Sequence, residues 1–152
     1  MMYMFFDCGS LTSLVFSGFN TGSVTNMSCM FCWCNNLTSL DLSGFDTSSV
    51  TDMRAMFSQC NKLMSIDLSS FNTSSVTNMY NMFGWCNRLT FLDLSSFDTN
   101  NVTSMGSMFC MDEAYTVNLT TVYVSENWNT DNNRGEIIEK EVYKDRNGNY
   151  RI

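Results

Sequence analysis

Phenylalanine recurs at Phe5, Phe31, Phe57, Phe83 and Phe109, a spacing of 26 residues held without slippage. A fixed period of this length constrains a chain more than any single motif. It requires one structural unit, built repeatedly, that buries its apolar side against its neighbours. Other columns keep the same step: Cys8, Cys34, Cys60 and Cys86; Leu11, Leu37, Leu63 and Leu89; Leu14, Leu40, Ile66 and Leu92; Phe16, Leu42, Leu68 and Leu94. A second aromatic column is Phe19, Phe45, Phe71 and Phe97, followed by Val24, Val50, Val76 and Val102. Two methionine columns close the unit, Met27, Met53, Met79, Met105 and Met30, Met56, Met82, Met108. The 13 Met, 12 Phe and 7 Cys of the chain therefore follow largely from one rule of construction.

Within a unit, LTSLDLS at 37–43 alternates apolar and polar residues, which predicts a short strand. VTDMRAMFSQC at 50–60 places apolar residues at steps of three and four, which predicts one to three helical turns. Thr25, Thr51, Thr77 and Thr103, or the Ser just before, are expected to cap those turns, and SGFDTSS between the two segments reads as a turn. The expected fold is an α/β repeat solenoid with one short parallel strand and one short helical segment per 26-residue rung. It occupies 1–133, with rungs starting at 5, 31, 57 and 83 and a degenerate one at 109 that keeps Val122, Tyr123 and Trp128. Residues 134–152 read as a charged C-terminal cap or hairpin turning at Asn147-Gly148. The chain starts partway through a repeat, so a fragment of a longer array or a truncated first rung is expected.

Charge and composition narrow the function. Net charge is −7; residues 1–133 carry three basic side chains against eleven acidic ones. An acidic, Lys-poor body repels phosphate backbones, so nucleic acid is not an expected partner. No apolar run approaches the ~18 residues of a membrane span. The N-terminal MMYMFFDC has no basic n-region, so no signal peptide or anchor is expected in this chain. There is no His, the commonest general base and metal ligand near neutral pH, and no nucleophile–base pair or phosphate loop. An enzyme is not expected.

The sulfur-rich columns invite a reading as copper, redox or cofactor sites. A repeat spreads equivalent residues along an axis instead of converging them on a point. The Met columns therefore read as core filler, and the Cys column as a ladder of reduced, buried thiols whose side chains point the same way. Cys29, Cys32 and Cys110 lie off the column, and Cys32-Trp33-Cys34 is a C-x-C with no second pair to complete a four-ligand site. No metal and no cofactor are expected. Asp145, Asn147 and Asn149 touch a calcium-loop pattern, but the glycine is misplaced and no bidentate Glu follows, so a turn is expected. Five N-x-S/T sequons, at Asn26, Asn36, Asn72, Asn101 and Asn118, matter only in a secretory pathway that glycosylates.

The candidate binding residues lie between the core positions. If Leu40 and Leu42 face inward, Ser39, Asp41 and Ser43 face outward, as do Ser65, Asp67, Ser69 and Phe91, Asp93, Ser95. Three Asp in neighbouring rungs repel mildly. The row reads either as a solvated face that resists aggregation or as a shallow acidic strip for a basic partner or cation. Exposed terminal rungs are further expected to associate end to end.

FSQCNKLMSIDLSSF and MFGWCNRLTFLDLSSFDTNNVTSM resemble the BspA-like leucine-rich repeats over about residues 4–110. The resemblance implies a leucine-rich-repeat-like fold and an extracellular or cell-surface protein of adhesin type, whose partner is a protein ligand such as a host extracellular protein. A purely structural spacer that displays other domains is the alternative role. One departure from ordinary leucine-rich repeats is plain: Phe19, Phe45, Phe71 and Phe97 stand where those repeats carry an Asn that ladders the turn.

Overall fold

The computed structural model describes residues 1–109 and 118–129, together with the backbone of Tyr143–Lys144 and Tyr150–Arg151. The Leu-x-x-Leu-x-Leu segments supply its parallel strands. β1 (Ser13–Leu14) pairs with β2 (Ser39–Leu40), Leu14 opposite Leu40. β3 (Phe91–Leu94) pairs with β4 (Thr121–Val124), with Leu92 opposite Val122 and Leu94 opposite Val124. The second pairing steps by 30 residues instead of 26, so four extra residues lie between the last two units. Alternation along β3 puts Leu92 and Leu94 inside and Phe91 and Asp93 outside. In the third unit, 63–68 forms no strand. β5 (Tyr143–Lys144) and β6 (Tyr150–Arg151) pair antiparallel, and β6 lies beside β4. The Asn147-Gly148 turn and the Asp145–Asn149 pattern fall outside the described residues.

The expected α/β solenoid with a helical segment per rung is overturned: no helix occurs among the described residues. The segment from Val50 to Cys60 runs as consecutive turns, and its hydrogen bonds show why. Met53, Ala55, Phe57 and Gln59 donate their N–H groups to Asn78, Tyr80, Met82 and Gly84 of the next unit, at 2.8–2.9 Å. The N–H groups of Met56, Ser58 and Cys60 close turns on Met53, Ala55 and Phe57, at 3.1–3.2 Å. An α-helix needs every N–H for its own carbonyl four residues back. Here half of them leave the segment. Ala55 and Gln59 also have positive φ, +52° and +64°, as do Cys29, Trp33, Asn81 and Trp85 in neighbouring units, which breaks helical continuity.

The threonines expected as helix caps bridge units instead. Thr51 donates both its N–H (2.8 Å) and its hydroxyl (3.1 Å) to the Thr25 carbonyl, and Thr77 and Thr103 repeat this onto Thr51 and Thr77. Parallel bridges join Asn26 to Asp52, Asp52 to Asn78 and Asn78 to Ser104. A buried threonine column adds a second ladder. The Thr47 hydroxyl donates to the Asn72 carbonyl at 2.9 Å and accepts the Asn72 N–H at 2.8 Å, and Thr21 and Thr73 do the same with Asp46 and Asp98. A buried hydroxyl satisfied in both directions carries no desolvation penalty.

The core runs through the repeat columns. Phe5, Phe31, Phe57, Phe83 and Phe109 stack with ring centroids 5.5–6.0 Å apart and planes within 12° of parallel. The methionine, valine and leucine columns surround them, buried from Met27 onward except for half-buried Ile66. The first unit is open. Met4 shares its column with Met30, Met56, Met82 and Met108, which are fully buried, yet is 48% exposed.

Candidate functional site

The outward positions of the Leu-x-x-Leu-x-Leu segments form the candidate site. Ser39, Asp41, Ser43, Ser65, Asp67, Ser69, Phe91, Asp93 and Ser95 are all exposed. Leu40, Leu42, Leu68, Leu92 and Leu94 are buried between them, which fixes the backbone that carries the row. Each Asp is held by the turn that follows it. Asp41 Oδ1 accepts the Ser43 N–H at 3.0 Å and its hydroxyl at 2.7 Å; Asp67 and Asp93 accept the N–H groups of Ser69 and Ser95, each at 2.9 Å. These are Asx turns, in which a short acceptor side chain fixes its own backbone two residues on. In each, the second carboxylate oxygen is left for solvent or a ligand.

Those bonds set the electrostatics. Hydrogen bonds from Ser43 hold the Asp41 carboxyl below its ordinary value, against a small opposing effect of the Asp67 charge. The backbone and hydroxyl of Ser69 lower Asp67 likewise. Asp41 and Asp67 are therefore ionised, preorganised acceptors at neutral pH. At its far end exposed Phe91 meets Tyr123 edge-on at 5.4 Å.

The sulfur residues sort into two groups. Cys34, Cys60 and Cys86 are buried, and each donates its thiol to a phenylalanine carbonyl of the preceding unit: Phe5 (3.1 Å), Phe31 (3.3 Å) and Phe57 (3.1 Å). Burial pushes the Cys34 thiol up to about 11, the Cys86 thiol up to about 12, and the Cys60 thiol further still. Such thiols are packing elements. Cys32 and Cys34 are packed apart: Cys34 belongs to the main core, whereas Cys32 packs with Cys29 and Ala55 in a separate small cluster. Cys29-Met30-Phe31-Cys32 is a C-x-x-C, a signal present in the sequence but overlapped by the C-x-C that shares Cys32. Among the described residues no three His, Cys, Asp or Glu side chains gather as a metal site.

Two further columns escaped the sequence reading. Asn61 Nδ2 donates to Asn35 Oδ1 at 3.0 Å, and Asn87 Nδ2 to Asn61 Oδ1 at 3.3 Å, which forms an amide ladder after the Cys column. The threonine column of Thr47 lies inside a stretch whose composition signals only a turn. No helix among the described residues is long and apolar enough to cross a membrane.

No curated protein and no solved structure matches the chain. The family described as Mycoplasma protein of unknown function, DUF285, matches residues 1–122, which take in all four regular units and reach into β4. With that match covering most of its length, the chain belongs to the DUF285 family.

Proposed function

We propose that this chain is a non-enzymatic protein-binding module whose exposed Ser/Asp row meets a basic segment of a protein ligand. One observation carries the reading. Three columns form Asx turns of the same kind, and two of them mix Asp with Asn: Asn26, Asp52, Asn78, and Asp46, Asn72, Asp98. Either residue therefore makes the turn. The column on the strand face holds Val15 in the first unit and Asp in each of the next three, at Asp41, Asp67 and Asp93, although Asn would serve the turn without like-charge repulsion. The turn alone does not explain the charge; an electrostatic partner does.

The resemblance to BspA-like repeats supports a cell-surface or secreted setting for this role. Self-association through the exposed apolar side chains Met4 and Phe6 is part of the same proposal. The test replaces Asp41, Asp67 and Asp93 together by Asn, which keeps the Asx turns and removes the charge. Binding to polylysine or to a basic protein ligand is then measured by calorimetry against salt. Weakened binding with a shallower salt dependence is expected. Unchanged binding by the triple variant, with its unfolding midpoint intact, would remove the strip from the account. The second reading, a structural spacer, is favoured by the use of each Asp in its own turn, and it predicts no binding by either protein.

A further inference from the structure

The off-column cysteines are the chemistry-bearing residues that the packing rule leaves unexplained. In register with Cys29 stand Tyr3, Ala55, Asn81 and Ser107, and in register with Cys32 stand Phe6, Ser58, Gly84 and, outside the described residues, Cys110. No other described unit needs sulfur at either place. The two cysteines occupy the ends of one turn, closed by the Cys32 N–H on the Cys29 carbonyl at 3.2 Å. A turn of this kind brings its first and fourth Cα atoms within ~7 Å, which overlaps the ~4.4–6.8 Å span of a disulfide. Both side chains pack against Ala55, outside the main core, at 9% and 5% exposure. Both are free thiols.

We propose that Cys29 and Cys32 form an oxidisable dithiol, which a small-molecule disulfide converts to a disulfide within the turn. The Cys29 thiolate attacks the disulfide RS–SR, forms Cys29–S–SR and expels RS⁻, which takes up a proton. The Cys32 thiolate then attacks the Cys29 sulfur, forms the Cys29–Cys32 bond and expels the second RS⁻. Two protein thiols are oxidised, one RS–SR is reduced to two RSH, and the protein loses two hydrogens. Cys29 takes the first step because it is the more exposed and lies beside half-exposed Tyr3. The column thiols are spared because each is buried and committed to a carbonyl one unit away. Burial and the neighbouring Cys29 push the Cys32 thiol up to about 12, so closure accelerates by about tenfold per pH unit across the neutral range.

The test equilibrates the folded chain with excess glutathione disulfide, alkylates free thiols, unfolds the protein, alkylates again with a second reagent and maps the peptides. Peptides carrying Cys29 and Cys32 are expected to lack both labels and to weigh two hydrogens less, while Cys34, Cys60 and Cys86 take only the second label. The variants reproduce residues that neighbouring units already hold at the same places. Cys29→Ala, after Ala55, should abolish the product. Cys32→Ser, after Ser58, should stop the reaction as a glutathione adduct on Cys29. Retention of both thiols under conditions that oxidise dithiothreitol would overturn the proposal, as would a disulfide to Cys8 or Cys34, or an adduct that never closes in the unsubstituted protein.

Discussion

Replacing Phe57 by Ala tests whether the units stabilise one another through the aromatic column. The Phe57 ring is fully buried and stacks on Phe31 at 5.7 Å and on Phe83 at 5.5 Å. Its backbone is used independently: the N–H donates to Met82 and the carbonyl accepts the Cys86 thiol, so the substitution removes the ring and leaves the ladder. Truncating a buried Phe costs about 3–5 kcal/mol from lost burial and the cavity left behind. Losing two ring contacts places Phe57 at the upper end of that range, near 4–5 kcal/mol. Phe5 supplies the comparison, because it sits at the open end, half-buried, with Phe31 as its only neighbour in the column. Phe5→Ala therefore removes less burial and opens its gap toward solvent, for about 2 kcal/mol. Urea unfolding of both variants, followed by far-UV circular dichroism, gives the two costs. Equal losses would refute the view that the first unit is an exposed end. A loss below 2 kcal/mol at Phe57 would refute the aromatic column as a main source of stability.

The exposed carboxylates carry a pH signature. Hydrogen bonds lower the folded-state pKa of Asp41 and Asp67 below 3.8, so the stability they confer is complete above that value and is lost as pH falls through their folded values. Two-dimensional NMR titration should show both with midpoints below 3.8, and Ser43→Ala should raise Asp41 more than Asp67. At the left-handed positions, Gln59→Gly should be neutral or stabilising by up to ~1 kcal/mol, whereas Arg54→Gly, in the same run of turns but without positive φ, should cost ~0.5–1 kcal/mol. Chemical denaturation decides, and equal losses at both sites would count against the left-handed assignment. Met4→Lys tests the proposed self-association: a charge at this exposed side chain is expected to suppress concentration-dependent association in sedimentation velocity, and association unchanged by it would count against that proposal.

Much of the interior was legible because a repeat makes each residue answer to its counterparts. The Phe, Cys, Met, Val and Leu columns were all named from spacing, and they form the core. The inward and outward alternation around Leu92 and Leu94 was equally readable, since strand geometry allows one choice once the apolar face is known. The helical reading of 50–60 failed for a definite reason. Apolar residues at steps of three and four also suit successive turns whose alternate N–H groups reach the next unit. Local sequence reveals the spacing but not the destination of an N–H. The positive φ of Ala55, Gln59 and Trp85 left no trace either, because none of them is Gly, and only Asp7 and Asn81 among the positive-φ residues have an intrinsic tolerance for that region. Thr47 and Thr73 read as turn residues, yet their burial follows from bonds to chain 25 residues away.

Counterparts within one chain also separate packing from function. A column that is apolar and buried in the second, third and fourth units, such as Phe31, Phe57 and Phe83, is accounted for by stacking. A column in which Asp and Asn alternate, such as Asp46, Asn72 and Asp98, is accounted for by its turn. Two cases resist both accounts. Asp41, Asp67 and Asp93 keep a charge that their turns do not require, and Cys29 and Cys32 carry thiols that neighbouring units replace by Ala and Ser. Neither case is an arrangement that packing forces. The acidic row faces outward on an ordered backbone, its three carboxylates fixed by their own turns. The cysteine pair closes one turn outside the main core, with both thiols free.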